Sequence, residues 1–185
     1  LLDEIAAGDI YDLEERYVLL FDRTRSLSLH LFEHVHGESR DRGQAMIDLK
    51  SLYESNGLSI DATELPDFLP LFLEYLSTRP LAEARELLGQ TAHIVAAVGE
   101  RLEKRGSAYA AVFGALVEIA GDKASEGEAA AALLAEPDTD PGDLDALDAA
   151  WEEAPVMFGP EAAPGCRDGL AARLRAARRP AGRMQ

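Results

Sequence analysis

Apolar residues recur at spacings of three and four along most of residues 1–121, which is the period of an amphipathic α-helix. Between Tyr11 and His36 one such stripe continues without interruption, and this predicts a single long helix that ends at Gly37. The residues of the stripe are Leu13, Tyr17, Leu20, Phe21, Thr24, Leu27, Leu31 and Val35. Strand-like alternation is absent from the sequence, so we predict an all-α, single-domain helical bundle.

A second helix is predicted between Ser39, a candidate N-cap, and Asn56-Gly57, where the glycine suits a left-handed exit. A third is predicted over 65–77, with Asp67 as a candidate N-cap and Pro70 in the first turn, where no hydrogen bond is lost. The residues of the second helix that we expect to face inward are Met46, Ile47, Leu49, Leu52 and Tyr53.

Two further helices are predicted, one from Arg79-Pro80 to Gly106 and one over 107–121. The second of these carries small residues that predict close approach to a neighbouring helix, namely Ala108, Ala111, Gly114 and Ala115.

The composition changes after residue 121, so the chain is predicted to divide into a core and three shorter segments. Residues 1–121 form the predicted helical core, and 122–142 an acidic linker with a short Ala-rich helix. Residues 143–166 are expected to pack on the core as a helical and irregular segment, with a helix over 144–155. The Arg-rich residues 167–185 are expected to form a solvated, flexible tail.

The charge balance restricts the class of partner. The net charge of −16 over 185 residues argues against nucleic-acid binding, which needs clustered Lys and Arg, and favours a basic partner. No apolar run is long enough to span a bilayer, so we expect a cytoplasmic protein without stable membrane insertion. The single Cys166 excludes an internal disulfide. Since the chain does not begin with Met, a further N-terminal segment is expected.

The stretch from His30 to His34 spells His-x-x-Glu-His, the inverted zinc-protease motif, with Glu33 as its acid and His36 close behind. A catalytic zinc site also needs a third ligand, and no residue further along the chain has a recognisable ligand spacing. We therefore interpret these histidines as structural and keep a zinc hydrolase as the competing hypothesis. No phosphate loop, dinucleotide-binding turn or nucleophile elbow is present in the sequence, so we expect no enzyme activity.

The predicted third helix carries more apolar surface than one buried stripe requires. Two interpretations fit this excess: a groove that accepts an amphipathic helix, or a central helix buried on all sides. The apolar residues concerned are Phe68, Leu69, Phe72, Leu73 and Leu76.

Four stretches of the chain resemble the NarJ-type chaperones of respiratory nitrate reductase, within the TorD-like group of redox-enzyme maturation proteins. The most specific letters are FDRxRxxSLHLFEHVHG and LPDxLPxxLExLS. The resembling stretches are 15–58, 64–77, 87–121 and 151–166. The sequence departs from the family at Phe68, and the first helix or two that precede Leu1 in the family are absent here.

The resemblance implies a TorD-like helical fold and a chaperone that has no catalytic activity and no cofactor of its own. Its partner would be the apo catalytic subunit of nitrate reductase, whose N-terminal peptide it holds while the molybdenum cofactor is inserted, before membrane docking. A monomer or weak dimer is expected, with Asp67 as the acid of the family motif. The implied peptide-binding residues are Tyr17, Phe21, Arg23, Leu65, Pro66, Asp67, Phe68, Leu69 and Phe72. The alternative functions are a chaperone for a different molybdoenzyme and an adaptor that binds a folded partner.

Overall fold

A computed structural model describes residues 1–36, 40–61, 63–121, 127–138, 140–145 and 148. Over these residues the chain forms eight α-helices and one 3-10 helix, with no strand, so the all-α prediction is confirmed. The α-helices are α1 (Leu2–Ala7), α2 (Ile10–Phe21), α3 (Leu31–His36), α4 (Arg40–Ser55), α5 (Leu69–Ser77), α6 (Leu81–Lys104), α7 (Ala110–Ala120) and α8 (Gly127–Ala135). The 3-10 helix, Arg25–Leu27, lies between α2 and α3.

Helix α6 is the central element of the bundle, and α5, α7 and α8 pack against it. As the sequence predicts, it begins after Pro80 and ends just before Gly106. The φ of Gly106, 64°, is left-handed and suits a helix end. Ten of its 24 residues are buried, because apolar positions occupy most of its circumference.

The close contact between α6 and α7 depends on a glycine of α6. A Cβ added at Gly99 would lie 3.1 Å from the Cβ of Phe113 on α7, which is tighter than ordinary packing. The prediction that the small residues of α7 mediate this approach is wrong, because Ala111, Gly114 and Ala115 are all exposed.

The prediction of one long helix from Tyr11 to His36 is also wrong. Helix α2 ends at Phe21, and the backbone is extended at Thr24 and again at Ser28. Hydroxyl groups offer local alternatives to helical hydrogen bonds here, because the Oγ atoms of Thr24 and Ser26 pair at 3.2 Å and the Ser28 Oγ accepts from the His30 N–H at 3.1 Å. The interruption turns α3 away from α2 and creates the loop that the site uses.

The C-terminal end of helix α4 agrees with the prediction, but one of the residues expected to face inward is exposed. Gly57 follows it with a left-handed φ of 81°, as expected. Leu49 and Tyr53 are fully buried, whereas Ile47 is 56% exposed and does not face inward.

Helix α5 begins four residues later than predicted, at Leu69, and Pro70 occupies its first turn as expected. Phe68, and not Asp67, is the N-cap residue, and no side chain caps this end. The short Ala-rich helix predicted within 122–142 corresponds to α8, which packs on α6.

Several predictions fall outside the described residues. These concern the Ser39 cap, residues 151–166, the Arg-rich tail over 167–185, and most of the helix expected over 144–155. The domain boundaries therefore stay predictions. Among the described helices, none has the length and apolar character needed to cross a bilayer.

Candidate functional site

The site lies where the loop between α2 and α3 meets the segment that precedes α5. The Leu31 N–H donates to the Asp67 carbonyl at 3.1 Å, and the Leu69 N–H donates to the Leu29 carbonyl at 2.8 Å. These two bonds form an isolated antiparallel bridge, so two segments far apart in sequence are fixed side by side.

Asp67 holds this junction together from the interior. Its side chain is 0% exposed; Oδ2 accepts from the Phe32 N–H at 3.0 Å, and Oδ1 lies 3.2 Å from Nδ1 of His30. Phe32 is the second residue of α3, where backbone N–H groups have no partner within the helix. Asp67 therefore caps α3, and not its own helix, from a position across the bridge.

His30 lies between this buried carboxylate and the surface. The hydrogen bond that His30 donates to Asp67, together with the charges of Asp67 and Glu33, raises the His30 pKa above its usual value, against opposing effects from burial and Arg42. The imidazole ring lies 5.5 Å from the ring of Phe68, centroid to centroid. His30 thus lies beside an aromatic ring at the edge of an opening.

His34 has a different role from His30. Its Nε2 lies 2.8 Å from the Ser28 carbonyl, and since a carbonyl only accepts, Nε2 carries the proton and donates. Burial lowers the His34 pKa, which favours the neutral ring that this bond requires.

The zinc-hydrolase alternative does not fit this arrangement. His30 precedes the first residue of α3, so the two histidines do not share a helix face, and each ring already has a protein partner. Within the described ranges, no group of three or more His, Cys, Asp and Glu side chains could hold a metal ion.

A cleft of about 420 Å³ opens between α2, the following loop and the segment before α5. This volume is in the range of ordinary ligand pockets and accommodates a few side chains of a larger guest. The lining residues are Tyr17, Val18, Phe21, Asp22, Thr24, Arg25, Ser28, Leu29, His30, Glu33, Glu64 and Phe68.

The cleft combines an apolar wall with acidic edges. Three carboxylates line it, those of Asp22, Glu33 and Glu64, and the lining includes one arginine, Arg25. The Glu33 carboxylate is paired with Arg42 at 3.1 Å, so Asp22 and Glu64 supply most of the negative charge. Burial raises the pKa of Tyr17, and the charges of Tyr109, Glu64 and Asp22 raise it further. The charges of Glu64 and Asp22 therefore act on Tyr17, so negative charge and apolar surface adjoin in this cleft.

The apolar wall comes mainly from α2. Val18 is 44% exposed and Tyr17 is 37% exposed, whereas Phe21, one turn further on, is buried against Tyr109 with ring centroids 5.1 Å apart. An apolar surface on the exposed side of a helix, next to a cleft, is typical of a binding surface.

The structure separates the nine predicted peptide-binding residues into three groups. Tyr17, Phe21 and Phe68 line the cleft. Asp67, Leu69 and Phe72 lie in the interior, each no more than 4% exposed, so this conformation offers none of them to a guest directly.

The remaining three predicted residues lie outside the cleft lining. Arg23 donates to the Pro141 carbonyl at 3.3 Å, the Pro66 carbonyl accepts from the Tyr53 hydroxyl at 2.8 Å, and Leu65 is exposed. Sequence reasoning missed most of the acidic edge. Asp22 directly follows α2 and Glu64 lies in the loop before α5, and neither belongs to a periodic pattern that would mark it in the sequence.

The described residues thus form an all-α bundle with an acidic, partly apolar cleft. The sequence matches the family model described as nitrate reductase delta subunit over residues 1–115. The chain belongs to that family, which is one of assembly chaperones and not of enzymes.

Curated relatives are named as molybdenum cofactor assembly chaperones of nitrate reductase. The chain is 46% identical over 167 residues to the nitrate reductase molybdenum cofactor assembly chaperone NarJ of Escherichia coli K12, a match that covers 90% of this chain and 69% of the relative. It is 46% identical over 157 residues to the probable chaperone NarW of the same strain, covering 85% and 67%. A probable NarJ of Bacillus subtilis is 36% identical over 98 residues, or 53% of each chain.

Proposed function

We propose that this chain is a cytoplasmic chaperone for the apo catalytic subunit of respiratory nitrate reductase. It binds the N-terminal segment of that subunit in the cleft between α2, loop 22–30 and the segment before α5. It holds the subunit competent for insertion of the molybdenum cofactor and delays its docking to the membrane partner. The relatives named as molybdenum cofactor assembly chaperones support this client class.

The observation that carries the proposal is the pairing of apolar wall and acidic edge in one cleft. Tyr17, Val18 and Phe68 offer surface to the apolar face of an amphipathic helix. Asp22 and Glu64 line the same cleft, so they pair with a Lys or Arg that flanks the apolar face of that helix. A basic amphipathic segment is therefore the guest that matches both features.

The expected affinity suits a client that is later released. Burial of two or three large guest side chains offers roughly 1.5–3 kcal/mol each before the cost of ordering the peptide. After that cost, the dissociation constant is expected at about the micromolar level. Binding of this strength does not require any covalent step.

The test is calorimetric titration with a synthetic peptide of roughly the first fifteen residues of the catalytic subunit, about four helical turns. Glu64→Lys reverses a charge at the edge of the cleft and is expected to weaken binding about tenfold. Glu118→Lys makes the same charge change at an exposed position of α7 outside the cleft lining, so its affinity should match the wild type. Equal affinities for both variants and the wild type would exclude this cleft.

An adaptor that recognises a folded surface predicts a different result. A catalytic subunit that lacks its first fifteen or so residues would still be captured by such an adaptor, whereas the chaperone proposed here loses it. A pull-down that compares full-length and truncated subunits separates the two functions.

A further inference from the structure

The wall of the cleft formed by loop 22–30 is held from behind by residues far away in sequence. Nη1 of Arg101, on α6, donates to the Ser26 carbonyl at 2.9 Å. Its Nη2 donates to the carbonyls of Leu133 and Glu136, at the end of α8. One guanidinium group thus joins three elements: α6, α8 and the loop.

The chemistry of Arg101 suits this position. The residue is only 2% exposed, so its donors need partners inside the protein. The last carbonyls of a helix lack the N–H donors that a further turn would supply, and they lie at the negative end of the helix dipole. A planar guanidinium can therefore hold the end of α8 and, with its other nitrogen, the loop.

A second link joins the loop to the residues after α8. The Ser26 Oγ donates to Oδ1 of Asp138 at 2.7 Å, and Arg105 of α6 donates to the same oxygen. Neither Asp138, Arg101 nor any residue of α8 lines the cleft. These groups reach the cleft only through the loop.

We propose that Arg101 and Asp138 are positioning residues of the cleft, which couple the docking of α8 to the shape of loop 22–30. The loop carries Arg25, Ser28 and His30 into the cleft, and outside the single 3-10 turn it has no regular secondary structure to hold it. A guest that needs the ordered loop stabilises the docked α8, and the docked α8 strengthens binding of the guest by the same factor. This inference rests on the proposed function for the identity of the guest.

Asp138 is the residue to vary, because it is partly exposed and Arg101 is not. Asp138→Ala removes the acceptor of the Ser26 hydroxyl, and Asp138→Asn keeps an Oδ1 in its place. With the synthetic N-terminal peptide as probe, we expect Asp138→Ala to bind about threefold to tenfold more weakly, the effect of one lost hydrogen bond. Asp138→Asn should bind like the wild type, because its surface ion pair with Arg105 contributes little.

Hydrogen exchange supplies a readout that a purely structural role would not change. In the wild type and in Asp138→Asn, addition of peptide should slow amide exchange in α8, although α8 does not line the cleft. In Asp138→Ala this peptide-dependent protection should be lost. Without peptide, amides of loop 22–30 should exchange about tenfold faster in Asp138→Ala than in the wild type.

The outcomes separate the two proposals. A wild type that binds no peptide contradicts the proposed function. A wild type that binds, together with unchanged affinity and α8 protection in Asp138→Ala, overturns the coupling alone. Unchanged exchange of loop 22–30 in Asp138→Ala overturns the positioning role whether or not a guest binds.

Discussion

At the scale of single residues, Asp67 is a motif acid whose partners all lie inside the protein. Its carboxylate is fully buried and satisfies the Phe32 N–H and the His30 imidazole. Sequence reasoning places Asp67 on the surface, where Asp67→Arg would weaken peptide binding and leave the helices intact. The buried position predicts another result, because an arginine there would meet the interior.

Asp67→Ala is expected to lower the free energy of unfolding by about 2–3 kcal/mol, because it leaves the α3 N-terminus and His30 without their acceptor. Denaturant unfolding followed by circular dichroism measures this loss. Glu64→Ala, at an exposed position of the same segment, is the control and should change stability by less than about 0.5 kcal/mol. A fully stable Asp67→Ala protein that binds no peptide would instead support direct contact with the guest.

The pKa shifts of His30 and His34 have opposite directions, so they predict opposite pH dependences of stability. The raised pKa of His30 means that its contribution is present below the unfolded value of about 6.5 and is lost as pH rises through the folded pKa. The lowered pKa of His34 means that its contribution is present above about 6.5 and is lost as pH falls through the folded pKa.

The destabilisation caused by His30→Gln should therefore be larger at about pH 5.5 than at about pH 8, and that of His34→Gln should be larger at about pH 8. Urea unfolding of the wild type and both variants at the two pH values measures the difference. Parallel pH dependences for the two variants would contradict the assigned partners of the rings.

At the scale of elements, helix ends were predicted from sequence more successfully than helix interruptions. Gly57, Pro70, Pro80 and Gly106 each act through backbone geometry that the residue carries with it, so their positions agree with the structure. The interruption between α2 and α3 depends on hydroxyl bonds of Thr24, Ser26 and Ser28 and on the backbone bridge between His30 and Phe68. Such tertiary partners leave no period in the sequence, and the acidic edge of the cleft was missed for the same reason.

The contact between α6 and α7 gives an element-scale prediction with a matched control. Gly99→Leu places a side chain against Phe113, where even a Cβ is too close, and should destabilise the protein by about 1–3 kcal/mol. Gly114→Leu, on the exposed side of α7 with nothing within 4 Å of its Cβ position, should stabilise it by about 0.5–1 kcal/mol through helix propensity. Thermal unfolding measures both. Equal effects would mean that α7 does not pack on α6 through Gly99.

At the scale of the whole molecule, the net charge of −16 and the acidic edge of the cleft act on a basic guest in the same direction. Long-range attraction accelerates encounter, while contacts within the cleft govern dissociation. Added salt shortens the Debye length from about 10 Å at 0.1 M to about 3 Å at 1 M, so the two contributions are separable.

Stopped-flow binding of the N-terminal peptide should show an association rate that falls about tenfold or more over this range of salt concentration, with a dissociation rate that changes much less. A peptide with Gln in place of its Lys and Arg should associate slowly at every salt concentration. If both peptides associate at the same rate in low salt, the acidic surface does not select the guest, and the apolar wall of Tyr17, Val18 and Phe68 must account for recognition alone.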